Sequence, residues 1–333
     1  MFSKPRPILD EMPWNIKQDI IDSTDFKTRC VLRKCSKTLR SQVNGSSAFI
    51  PQVDFQLDDN IVKLTISEND DVKILVVDYR SEAYGCSVNG KFLFGENHID
   101  RSVADFAAMI RHPRTHIRTV CGEDTDYLEL DERRTRDKIA FVGAFEREFS
   151  SGRLPAMGLQ FDWVRLSQQN QMRMLALTRP GILEFIAFRP IENNQDTSEI
   201  IVSEHWKKAK LVQMTWFYRL PAQSLVRFPW FTVAMIDITL EDAKVFVEKI
   251  FEFGESFDDW TINQGRLELE AFEYFISEFA HRGININEGT FHTFLKKMPG
   301  TRYHLKIEIT IDKKNEIDLV FSKVLSAEVD QSD

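Results

Sequence analysis

The chain has 333 residues, 43% of them hydrophobic and 28% charged, an ordinary globular composition long enough for a sizeable core or two domains. The net charge of −8 argues against a polyanion as the main partner, since nucleic-acid binders carry a basic field. The charge is uneven: residues 1–50 hold nine basic and five acidic side chains, about +4, which leaves −12 on the remainder.

The opening residues lack the apolar core and small-residue cleavage site of a signal peptide, and no stretch approaches the ~18–20 apolar residues that span a bilayer. The four cysteines, Cys30, Cys35, Cys86 and Cys121, show no CxxC spacing and read as reduced thiols. An intracellular chain, cytoplasmic or nuclear, is the expectation, with no membrane and no nucleic acid among its partners.

Residues 8–43 predict three short helices. Pro13 suits a first helical position, and Ile16, Ile20 and Ile21 give the first helix its apolar face. Asp25 is the expected N-cap of a second helix holding Phe26, Cys30, Val31 and Leu32. A third runs through Leu39 and Val43 and stops at Asn44-Gly45. Cys30 and Cys35, at helical core spacing, are expected to be buried.

Residues 46–100 follow as a strand-rich connecting region. "IVKLTI" and "VKILVVDY" are β-prone runs, and "CSVNGKFLF" carries an Asn89-Gly90 hairpin signal. From 101 to 325 helices and short strands alternate. Val103, Phe106, Ala107 and Ile110 sit at helical spacing, as do Ala243, Phe246, Val247, Ile250 and Phe251 behind Thr239-x-x-Asp242, a capping box, with Gly254 at the far end. Leu269, Phe272, Phe275, Ile276 and Phe279 form another stripe, closed by Gly283.

Five apolar triplets punctuate this region: Leu154-Met157-Leu159, Leu183-Ile186-Phe188, Leu211-Met214-Trp216, Val233-Ile236-Ile238 and Phe257-Trp260-Ile262. Their first residues lie 29, 28, 22 and 24 positions apart, close to the roughly 20–29-residue period of leucine-rich repeats. The expected fold class is therefore α/β: a helical trio followed by an irregular leucine-rich-repeat-like strand–helix solenoid. The alternating runs Leu305-Ile307-Ile309-Ile311 and Ile317-Leu319-Phe321 predict a C-terminal β-hairpin capping the last repeat, and 326–333 a disordered tail.

Catalytic patterns are missing: there is no GxxxxGK[ST], GxGxxG, GxSxG or HExxH. His112 and His116 are four apart, but Pro113 breaks the helix that would bring both rings to a metal. Neither an enzyme nor a cofactor is expected. The run Lys27, Arg29, Arg33, Lys34, Lys37, Arg40 reads as a solvated face or as a surface for an acidic partner. The aromatics Trp216, Phe217, Tyr218, Phe228 and Trp230 read first as core and second as a binding face.

Residues 8–43 hold more apolar side chains than so short a unit can bury, so they either pack into the chain or face another protein. The segment "ILDEMPWNIKQDIIDSTDFKTRCVLRKCSKTLRSQV" resembles an F-box through Leu9, Met12 and Pro13, the aliphatic Ile16, Ile20 and Ile21, the break before Asp25-Phe26, and Arg29, Leu32, Arg33-Lys34-Cys35 and Leu39-Arg40. Trp14 departs from the acidic residue common at that place. The form is especially similar to an expanded nematode family in which the F-box, here 7–45, precedes an FTH domain, which "DITLEDAKVFVEKI" and the final hairpin resemble more loosely.

That resemblance implies a non-catalytic substrate receptor. It would bind a Skp adaptor, and through it a cullin, and hold an unknown protein target for ubiquitin transfer. The alternative is an adaptor-binding scaffold that delivers nothing. The implied adaptor-binding residues are Leu9, Met12, Pro13, Ile16, Ile20, Arg29, Leu32, Arg33 and Leu39, with Ile21, Phe26 and Val31 turned inward.

Overall fold

The computed structural model describes residues 12–24, 26–46, 48–68, 72–111, 115–124, 132–149, 153–190, 196–218, 220–235, 237–286, 289–312 and 317–326. Leu9, Asp25, His112, Pro113, Ile236, the turn at 313–316 and the tail from 327 lie outside them, and so do the side chains of Phe26, Cys30, Trp216, Phe217 and Tyr218. The chain divides into two units, Met1–Val164 with Arg173–Leu183, and Arg165–Met172 with Glu184–Asp333.

The first unit opens with the helical trio: α1 (Trp14–Ser23), α2 (Phe26–Cys35) and α3 (Lys37–Asn44). Five strands follow, β1 (Phe49–Asp58), β2 (Ile61–Ser67), β3 (Lys73–Glu82), β4 (Gly85–Val88) and β5 (Lys91–Phe94), then α4 (His98–Met109), β6 (His116–Asp124), α5 (Glu132–Glu148) and β7 (Ala156–Leu166). In the sheet the order is β7-β6-β1-β2-β3-β4-β5. The pairs β1/β6 and β6/β7 are parallel and the rest antiparallel.

The β4–β5 turn is the expected Asn89-Gly90, with φ of 49° and 81°. Alternation puts Val53, Phe55 and Leu57 of β1 and Val62, Leu64 and Ile66 of β2 into the core. Phe55 is its centre, meeting Phe106 of α4 and Phe141 and Phe145 of α5 edge to face, each at 5.3 Å. Asn97 caps α4 by accepting the Ile99 and Asp100 amides at 2.8 and 3.2 Å.

The second unit holds β8 (Phe185–Pro190), α7 (Ser198–Val202), α8 (Glu204–Lys208), β9 (Leu211–Tyr218), α9 (Ala222–Leu225), β10 (Trp230–Met235), β11 (Asp237–Ile238) and α10 (Leu240–Phe253), α6 (Gln168–Ala176) being divided between the units. Then come β12 (Asp259–Leu267), α11 (Leu269–Glu278), β13 (Ala280–Ile286), β14 (Gly289–Lys297), β15 (Tyr303–Asp312) and β16 (Ile317–Leu325). Strands β8-β9-β10-β12 run parallel, and β12-β16-β15-β14-β13 antiparallel. The capping box forms as expected: Thr239 Oγ1 accepts the Asp242 amide at 3.1 Å and Asp242 accepts the Thr239 amide at 3.0 Å. Trp260 is fully buried, its indole N–H donates to Phe228 O at 2.8 Å, and it lies between Phe231, Phe246, Phe257 and Phe321.

The chain is thus mixed α/β with a large sheet content, its strands paired out of step with the apolar triplets. Val233, first in its triplet, pairs with Met214, second in its own, and with Ile262, third in its own. Leu159, Ile186, Phe188, Met214, Val233, Trp260 and Ile262 are buried strand positions, but Leu211 is 37% exposed and the triplets do not fall on equivalent rungs. The final hairpin is not a lone cap: β16 pairs with β12, and β13 and β14 extend the sheet beyond β15. Gly283 lies inside β13 rather than closing a helix, because α11 stops at Glu278 and Phe279 turns extended, φ −128° and ψ 150°. Within that stripe Phe275 is buried, whereas Leu269 and Ile276 are exposed. Among the described residues no helix is long and apolar enough to cross a membrane.

Candidate docking site

The helical trio has a core of its own, made by Ile21, Leu39 and Val43 with Leu32 packed against it. Three devices shape it. Pro13 stands just before α1, one residue earlier than its spacing suggests, and its carbonyl accepts the Lys17 amide at 3.0 Å. Ser36 separates α2 from α3 and caps the latter, its Oγ accepting the Leu39 amide at 3.1 Å. Gly45 ends α3 with its N–H on Gln42 O at 3.0 Å; its φ of −88° is open to any residue, so the expected glycine stop is not a left-handed cap.

Two arginines tie the helices together. Arg29 reaches back to the end of α1, Nε donating to Thr24 O and Nη2 to Asp22 O, each at 3.0 Å. Arg40 of α3 donates from Nε to Arg33 O at 3.1 Å, near the end of α2. Both cations therefore sit where orphan carbonyls and the negative end of the helix dipole favour them. Burial pulls the Arg29 guanidinium below its ordinary value, opposed by Asp22.

The outer surface is apolar for so short a unit. Trp14 is 62% exposed, Ile16 44% and Val31 56%, with Ile20 half-buried one turn along from Ile16. Cys35 is exposed too, donating to Val31 O at 3.4 Å, so its expected burial is corrected: it shares the outward face of α2 with Val31 while Leu32 turns to the core. Lys27, Lys34, Lys37 and Arg40 of the trio are exposed as well.

The F-box domain family matches residues 9–50, which take in the whole trio, and the FTH domain family matches residues 141–278, from Phe141 in α5 to the last residue of α11. The chain thus carries a match to an F-box domain and, after it, a match to an FTH domain. A Caenorhabditis elegans protein, F-box A protein 224, is 20% identical to it over 270 residues, covering 76% of this chain and 66% of the relative. The chain thus spans just under two thirds of that relative's length. No solved structure matches it.

The expected adaptor residues fall into two groups. Met12, Pro13, Ile16, Ile20 and Arg33 lie at least partly open to solvent. Leu39 is 2% exposed and Arg29 6%, and Leu32 is packed on the core, so in the free chain these three hold the unit together rather than offer contact area. Val31, expected inside, is outside. The clamp made by Arg29 was not legible as such; its only trace in the sequence is a basic residue a few positions beyond a helix break. Among the aromatics read as core or binding face, Phe228 is core, stacked edge to face on Trp206 at 5.3 Å. Among the described residues no three His, Cys, Asp or Glu side chains gather as a metal site.

Proposed function

We propose that this protein is a substrate receptor of a Skp–cullin–F-box ubiquitin ligase, acting inside the cell, in cytoplasm or nucleus. Residues 7–45 bind the Skp adaptor, and the region 101–325 holds the target. The observation that carries this reading is the F-box match over a trio whose described core gathers Ile21, Leu39, Val43 and Leu32 while Trp14, Ile16 and Val31 stay in water. A unit so small gains stability by covering that surface with a partner. The exposed basic residues of the trio suit an acidic adaptor, with charge steering the encounter and aliphatic burial supplying affinity.

The adaptor contacts in this reading are Met12, Pro13, Ile16, Ile20 and Arg33, with Leu9 before them; Arg29, Leu32 and Leu39 keep the presenting helices in place. The protein itself breaks and makes no bonds. It raises the effective concentration of a target lysine near a charged conjugating enzyme. The parallel strands β8-β9-β10-β12, read as an irregular leucine-rich-repeat-like run, offer the broad surface that a target requires.

Co-purification of the full chain with a Skp adaptor tests this, beside Ile16→Asp, which alters an exposed position. Binding by wild type and at least about tenfold weakening in the variant is the expected result. If wild type captures no adaptor, the receptor reading falls. If it captures adaptor but no target changes half-life with its level, the protein is an adaptor-binding scaffold.

A further inference from the structure

One cation in the FTH-matched region stands apart. Arg227 follows α9, and its guanidinium lies over the Phe228 ring at 4.6 Å. Of its five N–H donors, the described contacts use Nη2, which donates to Ala209 O at 3.2 Å. Among the described residues no carboxylate pairs with it, and burial alone moves it below the ordinary guanidinium value. A partly buried charge in that condition is costly unless something neutralises it.

Arg227 borders a cavity of about 410 Å3 with Val226, Lys249, Glu252 and Phe253. That volume lies within the range of small-ligand pockets. Lys249 and Glu252, on the last turn of α10, bond to each other at 2.6 Å and cancel, so Arg227 sets the net charge of the lining. Val226 and Phe253 supply apolar wall. The carbonyl end of α10 repels an anion, which places a negative group on the Arg227 side and an apolar body against Phe253.

We propose that this cavity binds a carboxylate borne on an apolar group, the carboxylate taken bidentately by the free edge of Arg227. The planar guanidinium fork matches the two oxygens of a carboxylate, and one flat face is already held by Phe228. The ligand is the C-terminal residue of a polypeptide or a free organic acid. The proposal does not depend on the ligase reading.

Calorimetry on the full chain tests it with N-acetyl-phenylalanine, its neutral amide and inorganic phosphate. Saturable binding of the acid is expected, with the amide and phosphate each at least about tenfold weaker. Arg227→Gln should lose at least about tenfold toward the acid and nothing toward the amide. Equal binding of acid and amide by wild type overturns the proposal whether or not the variant folds. So does phosphate binding as tightly as the acid, or no saturation by the acid up to about 10 mM, weaker than a charge-assisted pair with a buried ring supplies. A peptide ending in phenylalanine distinguishes the sources: equal or tighter binding supports a chain end, loss of binding supports a free acid.

Discussion

Arg29 donates from Nε to the Thr24 carbonyl at 3.0 Å, so a side chain of the second F-box helix closes the end of the first. A second bond reaches Asp22 O, and only 6% of Arg29 is exposed. Charge-assisted bonds to carbonyls are worth about 1.5–3 kcal/mol when buried. Arg29→Gln should therefore destabilise the trio by about 2 kcal/mol, seen as roughly thirtyfold faster amide hydrogen exchange in α1. Adaptor binding should weaken only in proportion to that opening and recover on cooling. A loss of binding with α1 exchange unchanged would make Arg29 a direct contact instead.

The opposite change is expected at Gln42, which is 1% exposed and whose amide Nε2 and Oε1 both lack hydrogen-bond partners among the described residues. A buried amide without partners costs about 1–3 kcal/mol, and an apolar side chain of similar shape removes that cost. Gln42→Leu should stabilise the trio by about 1 kcal/mol, slowing α3 amide exchange roughly fivefold. Faster exchange would mean that the amide is satisfied in solution.

These two residues also mark where the sequence stops being informative. The existence of three helices was legible, because Pro13 and the Asn44-Gly45 end are local signals. Which side of each ten-residue helix faces inward was not, since apolar residues occupy more than one face and only the packing of the trio chooses between Leu32 and Val31. The same distinction holds further along. The Asn89-Gly90 hairpin and the Thr239/Asp242 box are decided within a few residues, and both form as expected. Strands β13 and β14 were missed because Phe275 and Phe279 continue a helical period past the point where the backbone turns extended. Part of each triplet, such as Met214, Val233 and Ile262, is buried in a strand, yet register between strands is set by neighbours far away in the chain, which the spacing of apolar residues does not reveal.

Gly85 is required by its neighbours rather than by its dihedral angles. A Cβ at that position would lie 2.0 Å from Leu93 O and 3.0 Å from Gly95 N, both backbone atoms of the partner strand and its exit. Neither can move without parting β4 from β5. Gly85→Ala should cost at least about 2 kcal/mol, with protection lost first at the paired residues Cys86 and Leu93 in hydrogen exchange. Unchanged protection there would show that the hairpin tolerates a shifted register.

Tyr79 gives the first unit an alkaline pH dependence. It is 1% exposed, and its hydroxyl donates to Asp105 Oδ2 at 3.1 Å, while Arg101 joins Asp105 at 2.8 Å and Glu96 at 3.0 Å. Burial first, then the Asp105 charge and hydrogen bond, push the phenol well above its ordinary value. In the unfolded chain it ionises near pH 10. The folded state therefore holds the proton over a range in which the unfolded state releases it. That contribution is complete below about pH 10 and is lost as pH climbs toward the folded value. Denaturant midpoints at about pH 8, 10 and 11 should fall steeply across the last interval. Tyr79→Phe should lower the midpoint at pH 8 by the loss of one hydrogen bond, about 1 kcal/mol, and flatten the alkaline fall. An equally steep fall in the variant would place the titrating group elsewhere.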